Sequence, residues 1–280
     1  MAFDLSNIFD KDMVMPEMQQ GRPVKDLFCL KGRVALVTGG TGNGYGSQAV
    51  AALAEAGATV FITSRDQLRA QQTAASLRDK GLDVRGLALD LESEPSIAQV
   101  VETLVGETGR IDILVNNACS NHFESFETIS LQDWNQVLAV NMTGTMLISR
   151  ATAPHMLKND GGVMVNLSSI YGVVAPDQRI YGESGTNSPL VYGMTKAALI
   201  QMTRYLATFW APRIRVNCLT PGGLFNHQDE QFIGQYVAKT PLGRMAGADD
   251  LKGAILFLAS DASAWVTGQN LVVDGGWTAW

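Results

Sequence analysis

Tyr192 and Lys196 lie four residues apart in the run YGMTK. They fall inside SPLVYGMTKAALIQMTRYLATFWA, whose apolar spacing and strong helix formers predict a helix. That spacing puts both side chains on one helical face. An ammonium beside a phenol favours the phenolate and lowers a pKa that is ordinarily about 10. A tyrosine tuned in this way can move a proton on an oxygen while a hydride moves on the attached carbon. The same spacing also fits a solvated surface pair, so the motif alone leaves both readings open. Two hydroxyls, Ser168 and Ser169, end the apolar run GGVMVNLSS upstream. Either could meet a substrate oxygen.

The elements that must position these residues alternate regularly. RVALVTG reads as a buried strand ending in glycines, and GSQAVAALAEAG as a helix stopped by Gly57. ATVFITS is a second strand and DQLRAQQTAASLRDKG a polar helix. DVRGLALD is a third strand. A helix follows with Ser93 as N-cap and Pro95 in its first turn. RIDILVNNA is a fourth strand. LQDWNQVLAVNMTGTMLISRATAPHML reads as one long helical stretch. GGVMVNLSS is the fifth strand, RIRVNCLTPGG the sixth, LKGAILFLAS a helix and NLVVDGG the last strand. Strands alternating with helices predict a single-domain α/β fold of the Rossmann-like, doubly wound kind, with a parallel sheet and helices on both faces. That domain spans residues 31–280. Residues 1–30 lack periodicity and read as an appended N-terminal arm.

The turn after the first strand is TGGTGNGYG. In this position glycines let backbone N–H groups at a helix N-terminus approach a pyrophosphate. Gly39, Thr41, Asn43, Gly44, Tyr45 and Gly46 are therefore candidate cofactor residues. At the end of the second strand an acidic residue would favour NAD by holding the ribose 2′-OH. Here Ser64 takes that place and Arg65 follows, and a guanidinium suits a 2′-phosphate. The sequence thus favours NADP(H) over NAD(H). The alternative is that Arg65 is solvated and Asp66 turns toward the ribose.

Taken together these motifs resemble the short-chain dehydrogenase/reductase family over roughly residues 31–276. The glycine turn is similar to the family's TG-x-x-x-G-x-G with one extra residue. The resemblance implies an NAD(P)-dependent oxidoreductase that interconverts a secondary alcohol and a ketone. It implies Tyr192 as the general acid/base, Lys196 as its pKa-lowering partner and ribose ligand, Ser169 on the substrate oxygen, and Asn141 of VNMTG in a proton relay. It also implies cofactor contacts at Asp90 and Leu91 after the third strand. Others would come from Asn117 and Ala118 in NNAC, where Cys119 replaces the usual glycine, and from Pro221 and Gly222 in TPGG. Tyr192 and Lys196 would touch the cofactor as well. Members of the family are commonly tetramers, so a homotetramer or homodimer is expected.

Ser169 and Tyr192 are separated by more residues than is usual in the family. The extra segment, around PDQRIYGESGTNSP, is polar and reads as a loop over the site, where substrate selection usually lies. Asp177, Gln178, Arg179, Glu183 and Asn187 could meet a polyhydroxylated or charged substrate. Gly223, Asn226 and His227, at the start of a second covering segment, are further candidates. The insertion looks similar to family members acting on sugar acids and sugar nucleotides, the gluconate 5-dehydrogenases and flagellin modification protein A among them. Rival readings are reduction of a 3-oxoacyl thioester or hydrophobic ketone, and a scaffold that binds nucleotide without catalysis.

Composition narrows the classes. In 280 residues, 46% are hydrophobic and 17% charged, an ordinary globular balance. A net charge of −6 without a basic cluster excludes nucleic acid as the main partner. No apolar run reaches membrane-spanning length. His122, His155 and His227 form no cluster with cysteine or acid at ligand spacing, so no metal is expected. The three scattered cysteines suggest a reducing compartment, and the chain is read as cytoplasmic. Trp265, Trp277 and Trp280 flank the last strand and fit either core or a subunit interface.

Overall fold

Val34–Val37 forms β1, and all four residues are buried, because both faces of this strand are covered by helices. Such burial explains why the strands read as unbroken apolar runs rather than alternating ones. The computed structural model describes residues 21–184 and 187–280. In chain order the strands are β1, β2 (Thr59–Ser64), β3 (Val84–Ala88), β4 (Ile113–Asn116), β5 (Gly162–Leu167), β6 (Ile214–Pro221) and β7 (Asn270–Val273). The α-helices are α1 (Val24–Leu27), α2 (Tyr45–Glu55), α3 (Gln67–Arg78), α4 (Glu94–Thr108), α5 (Leu131–Leu138), α6 (Thr145–Lys158), α7 (Leu190–Phe209), α8 (Glu230–Ala238) and α9 (Lys252–Ala259).

The strands make one seven-stranded sheet in the order β3-β2-β1-β4-β5-β6-β7. Every strand pair is parallel. The order reverses between β1 and β4, and a ligand crevice is expected at the carboxyl ends there. Two core clusters cover the two faces. One joins Val37, Val115 and Val165 to Leu53 of α2 and Ile255 of α9. The other joins Leu36, Leu114 and Met164 to Leu104 of α4 and Ile148 of α6. Gly86 lets α3 lie almost on the sheet, since a Cβ there would stand 2.3 Å from the Ala70 carbonyl oxygen.

Within the expected arm, Leu30 is buried against the first core cluster, and its N–H donates to the Ala56 carbonyl at 2.9 Å. Arg22 pairs with Asp261 at 2.9 Å. Residues 1–20 of that arm lie outside the described residues, as do residues 185 and 186 of the insertion.

The long helical stretch expected after Leu131 is not regular. A π-helical turn, Ala139–Gly144, separates α5 from α6 and carries Asn141. Such turns are often found at functional sites. The sequence reading also assigned no element to the second covering segment, which contains α8. That helix has an N-cap in Asp229, whose carboxylate accepts from the N–H groups of Gln231 and Phe232.

Candidate active site

Two cavities meet at the carboxyl ends of the central strands. The first, of about 420 Å³, runs from the β1–α2 turn past the ends of β2 and β3 to the segment after β4. Gly44 caps α2 without a side-chain cap. The free N–H groups of the first turn open on this cavity and suit an anion. A Cβ on Gly44 would meet nothing within 4 Å, whereas one on Gly46 would lie 2.4 Å from Asn117 Nδ2 and 2.5 Å from the Gly39 oxygen. Gly46 is thus a position where the turn tolerates no side chain, as is Gly39, whose φ is positive and whose Cβ would lie 2.9 Å from Ala118 Cα.

The NNAC segment braces this turn. Asn117 Nδ2 donates to the carbonyls of Thr38 and Gly39, both at 2.9 Å. The Thr38 hydroxyl in turn accepts from the N–H groups of Asn117 and Ala118. Thr41 and Tyr45 also line the cavity; the exposed Asn43 does not. Ser64, Arg65, Asp90 and Leu91 line its far end. Cys119 lines it too, with Ser120 and Val140, which the sequence reading did not single out.

Asp66 is taken up elsewhere. Its carboxylate caps α3, accepting from Leu68 N at 2.9 Å and Arg69 N at 3.2 Å. Arg65 forms no ion pair among the described residues and faces the cavity. A second guanidinium, Arg69, donates to the Thr41 carbonyl at 3.4 Å. Arg65 thus lines the cavity at the end of β2, while Arg69 stands against the β1–α2 turn. Asp90 also closes its own turn, its Oδ1 accepting from Glu92 N at 3.0 Å.

The second cavity, of about 240 Å³, contains Tyr192, Ser169, Gly222 and Gly223. Tyr45 borders both cavities, and its hydroxyl donates to the Gly222 carbonyl at 2.7 Å. Pro221 ends β6 just before this turn. Lys196 is 3% exposed, and its Nζ donates to the Leu167 carbonyl at 2.8 Å. That Nζ stands 5.6 Å from the centre of the Tyr192 ring. Burial pushes the Tyr192 phenol above its ordinary pKa, while the charge of Lys196 and a hydrogen bond from Ser169 pull it back in part. Ser168 is committed differently: its Oγ donates to the Lys196 carbonyl at 2.8 Å and ties α7 to the end of β5.

Asn141 is almost fully buried, with its amide saturated. Its Oδ1 accepts from Ser120 N at 2.7 Å, and its Nδ2 donates to the Ser120 carbonyl and to Thr195 Oγ1. The side chain therefore clamps the segment after β4 onto the helix carrying Tyr192.

The substrate candidates divide. Asn187 lines the second cavity, and its Nδ2 donates to the Phe123 carbonyl at 2.7 Å. Arg179 is mostly exposed and pairs with Asp177, which also binds Lys239 of the α8 segment. Gln178 holds the loop through both amide atoms on Ser188. Glu183, Asn226 and His227 are exposed and lie outside the cavity. What the sequence reading missed is aromatic. Tyr171, Tyr181, Phe232 and Tyr236 line the cavity, and Trp277 stacks behind Tyr236 at 5.8 Å. Their only sequence signal was density of rings in the two covering segments. Among the histidines, the expected lack of clustering is corrected. Folding gathers His122, Glu124 and Asp133, with ligand atoms within 4.8 Å of one another, by bringing the start of α5 back against the segment after β4. His122 Nε2 there hydrogen-bonds Gln136.

The family described as Enoyl-(Acyl carrier protein) reductase matches residues 40–278. The chain belongs to the short-chain dehydrogenase/reductase family. It is 36% identical to the 3-oxoacyl-[acyl-carrier-protein] reductase of Aquifex aeolicus over 88% of this chain and 98% of that one. It is also 36% identical to the D-threitol dehydrogenase of Mycolicibacterium smegmatis, over 90% of this chain and 95% of that one. The crystal structure of a gluconate 5-dehydrogenase from Burkholderia cenocepacia, in complex with NADP and tartrate, superposes with a TM-score of 0.84 at 32% identity. That match covers 92% of this chain and 100% of the other. As a member of this family the chain is an NAD(P)-dependent oxidoreductase acting on CH–OH groups.

The braced turn makes a direct test. Gly46→Ala is expected to weaken NAD(P) binding by about tenfold or more, because the new methyl group displaces the Asn117 amide from the glycine-rich turn. Calorimetric titration of the folded variant checks this.

Proposed function

We propose that the protein oxidises a secondary alcohol of a polyol, sugar or sugar acid, or reduces the matching ketone, with NADP(H) as cofactor. The observation that carries the reading is the second cavity. It holds Tyr192 and Ser169 beside the P-G-G turn, with Lys196 buried one helical turn from the tyrosine. Bound in the first cavity, the oxidised cofactor supplies the hydride acceptor and a positive charge. The chain's own residues do the rest. Ser169 orients the substrate oxygen. Tyr192 takes the hydroxyl proton as the hydride leaves, and returns it in the reverse direction. Lys196 offsets the effect of burial on the phenol. Asn141 keeps the segment after β4 in register with α7. The β1–α2 turn, with Gly44 and Gly46, would hold the pyrophosphate, and Asp90 and Leu91 the adenine side.

Arg65 supports the preference for NADP, since Asp66 is engaged by α3 and offers the ribose no carboxylate. The threitol and gluconate enzymes among the relatives support the polyol reading. The aromatic lining supports a second reading, reduction of a 3-oxoacyl thioester, which the Aquifex aeolicus relative also suggests. Exposed Met142, Met146, Tyr205, Trp265 and Trp280 support assembly into a homotetramer. Free Cys29 and Cys119 on the surface support a reducing, cytoplasmic setting.

A panel of polyols, sugar acids and 3-oxoacyl thioesters, assayed by nicotinamide absorbance with NADP and with NAD, tests the reading. Turnover of a polyol is expected, and turnover of thioesters alone contradicts the substrate class. Arg65→Ser is expected to raise the KM for NADP by about tenfold or more and leave that for NAD unchanged. Equal effects on both would contradict the role given to Arg65. Oxidation requires the phenolate, so its rate rises with pH through the Tyr192 titration. Lys196 lowers that titration, so removing its charge must move the rising limb upward. Lys196→Met is expected to shift the limb of the kcat profile by on the order of one pH unit to higher pH, and an unmoved limb would sink the coupling.

A further inference from the structure

The substrate cavity contains a polar group that the catalytic set does not use. Asn121 lies on the segment after β4 and lines the cavity with Ser169 and Tyr192. Its Oδ1 is enclosed and meets no hydrogen-bond partner among the described residues. Buried amide oxygens are almost always paired, so an unpaired one on a residue that lines a ligand cavity points to a ligand donor.

The segment is held rigidly on both sides of it. Ser120 is clamped by Asn141 through its N–H and its carbonyl. The Phe123 carbonyl is held by Asn187 at 2.7 Å. The backbone that carries Asn121 is therefore fixed beside the cavity. The rest of the lining offers rings on one side and Ser188 and Gln228 on the other. Ser188 and Gln228 already have protein partners: the Ser188 side chain hydrogen-bonds Tyr181, and Gln228 accepts from Asn226 N and donates to the Leu224 carbonyl.

We propose that Asn121 selects polyhydroxylated substrates by hydrogen-bonding a hydroxyl other than the one oxidised. A hydroxyl both donates and accepts, so it satisfies either end of the amide. A simple alcohol would leave the oxygen unpaired in a closed site, and discrimination of this kind is strong. The inference rests on the reading of this cavity as the alcohol site.

The test compares secondary butanol with the butanediol bearing hydroxyls on both middle carbons, and secondary butanol with threitol. The unaltered protein and Asn121→Leu are assayed with saturating NADP. The unaltered protein is expected to favour each polyhydroxylated compound at least about tenfold in kcat/KM. In Asn121→Leu that ratio falls toward one, through higher KM for the diol and threitol, while secondary butanol is used as well as before or better. NADP affinity serves as the control for folding, since Asn121 does not line the first cavity. Turnover by the unaltered protein without preference for the diol or threitol overturns this inference alone, as does a preference that survives in Asn121→Leu. No turnover of any of these alcohols by the unaltered protein overturns the proposed function and this inference with it.

Discussion

Lys196 places an ammonium group where only 3% of the residue is exposed, and the hydrogen bond from its Nζ to the Leu167 carbonyl is what makes that burial tolerable. A buried charge without partners is costly, so the lysine can occupy this position only while α7 sits against the end of β5. Ser168 fixes the same contact from the other side by donating to the Lys196 carbonyl. The position of Tyr192 follows from it, one helical turn earlier on the same face. So does that of Ser169, the next residue after Ser168. Tyr192, Ser169 and Lys196 are thereby carried by one junction between a strand end and a helix.

The two cavities are joined by a second set of contacts. Tyr45 belongs to the glycine-rich turn yet donates to Gly222 of the P-G-G turn. Tyr236 of α8 accepts from Gly223 N–H at 2.5 Å. The P-G-G turn is thus held by one tyrosine from the cofactor side and another from the substrate side. The Tyr45 bond also ties the glycine-rich turn to the end of β6. The insertion is treated similarly, since Asp177 binds both Arg179 beside it and Lys239 from the α8 segment.

Much of this was legible in the sequence because it rests on local rules. β-branched runs bounded by glycine marked all seven strands, and the Y-x-x-x-K spacing marked one helical face. Roles that depend on where loops fold back were not legible. Polar residues of the insertion looked like substrate ligands, yet Asp177 and Gln178 hold the loop itself, and Arg179 and Glu183 face solvent. The aromatic wall comes from Tyr171, Tyr181, Phe232 and Tyr236, drawn from two segments distant in sequence, so no spacing reveals it. The π turn at Asn141 was hidden because its residues continue a good helical pattern.

The central claim is that the Tyr192 hydroxyl moves the proton, while most of the cofactor contacts come from the first cavity. The most direct measurement is turnover by Tyr192→Phe beside its NADP affinity. The ring, its packing and the first cavity are preserved, so NADP should bind as it does to the unaltered protein. Loss of the hydroxyl should lower kcat by about a hundredfold or more, the usual scale for a lost general acid/base. Turnover retained near the original rate, with binding intact, would contradict the account.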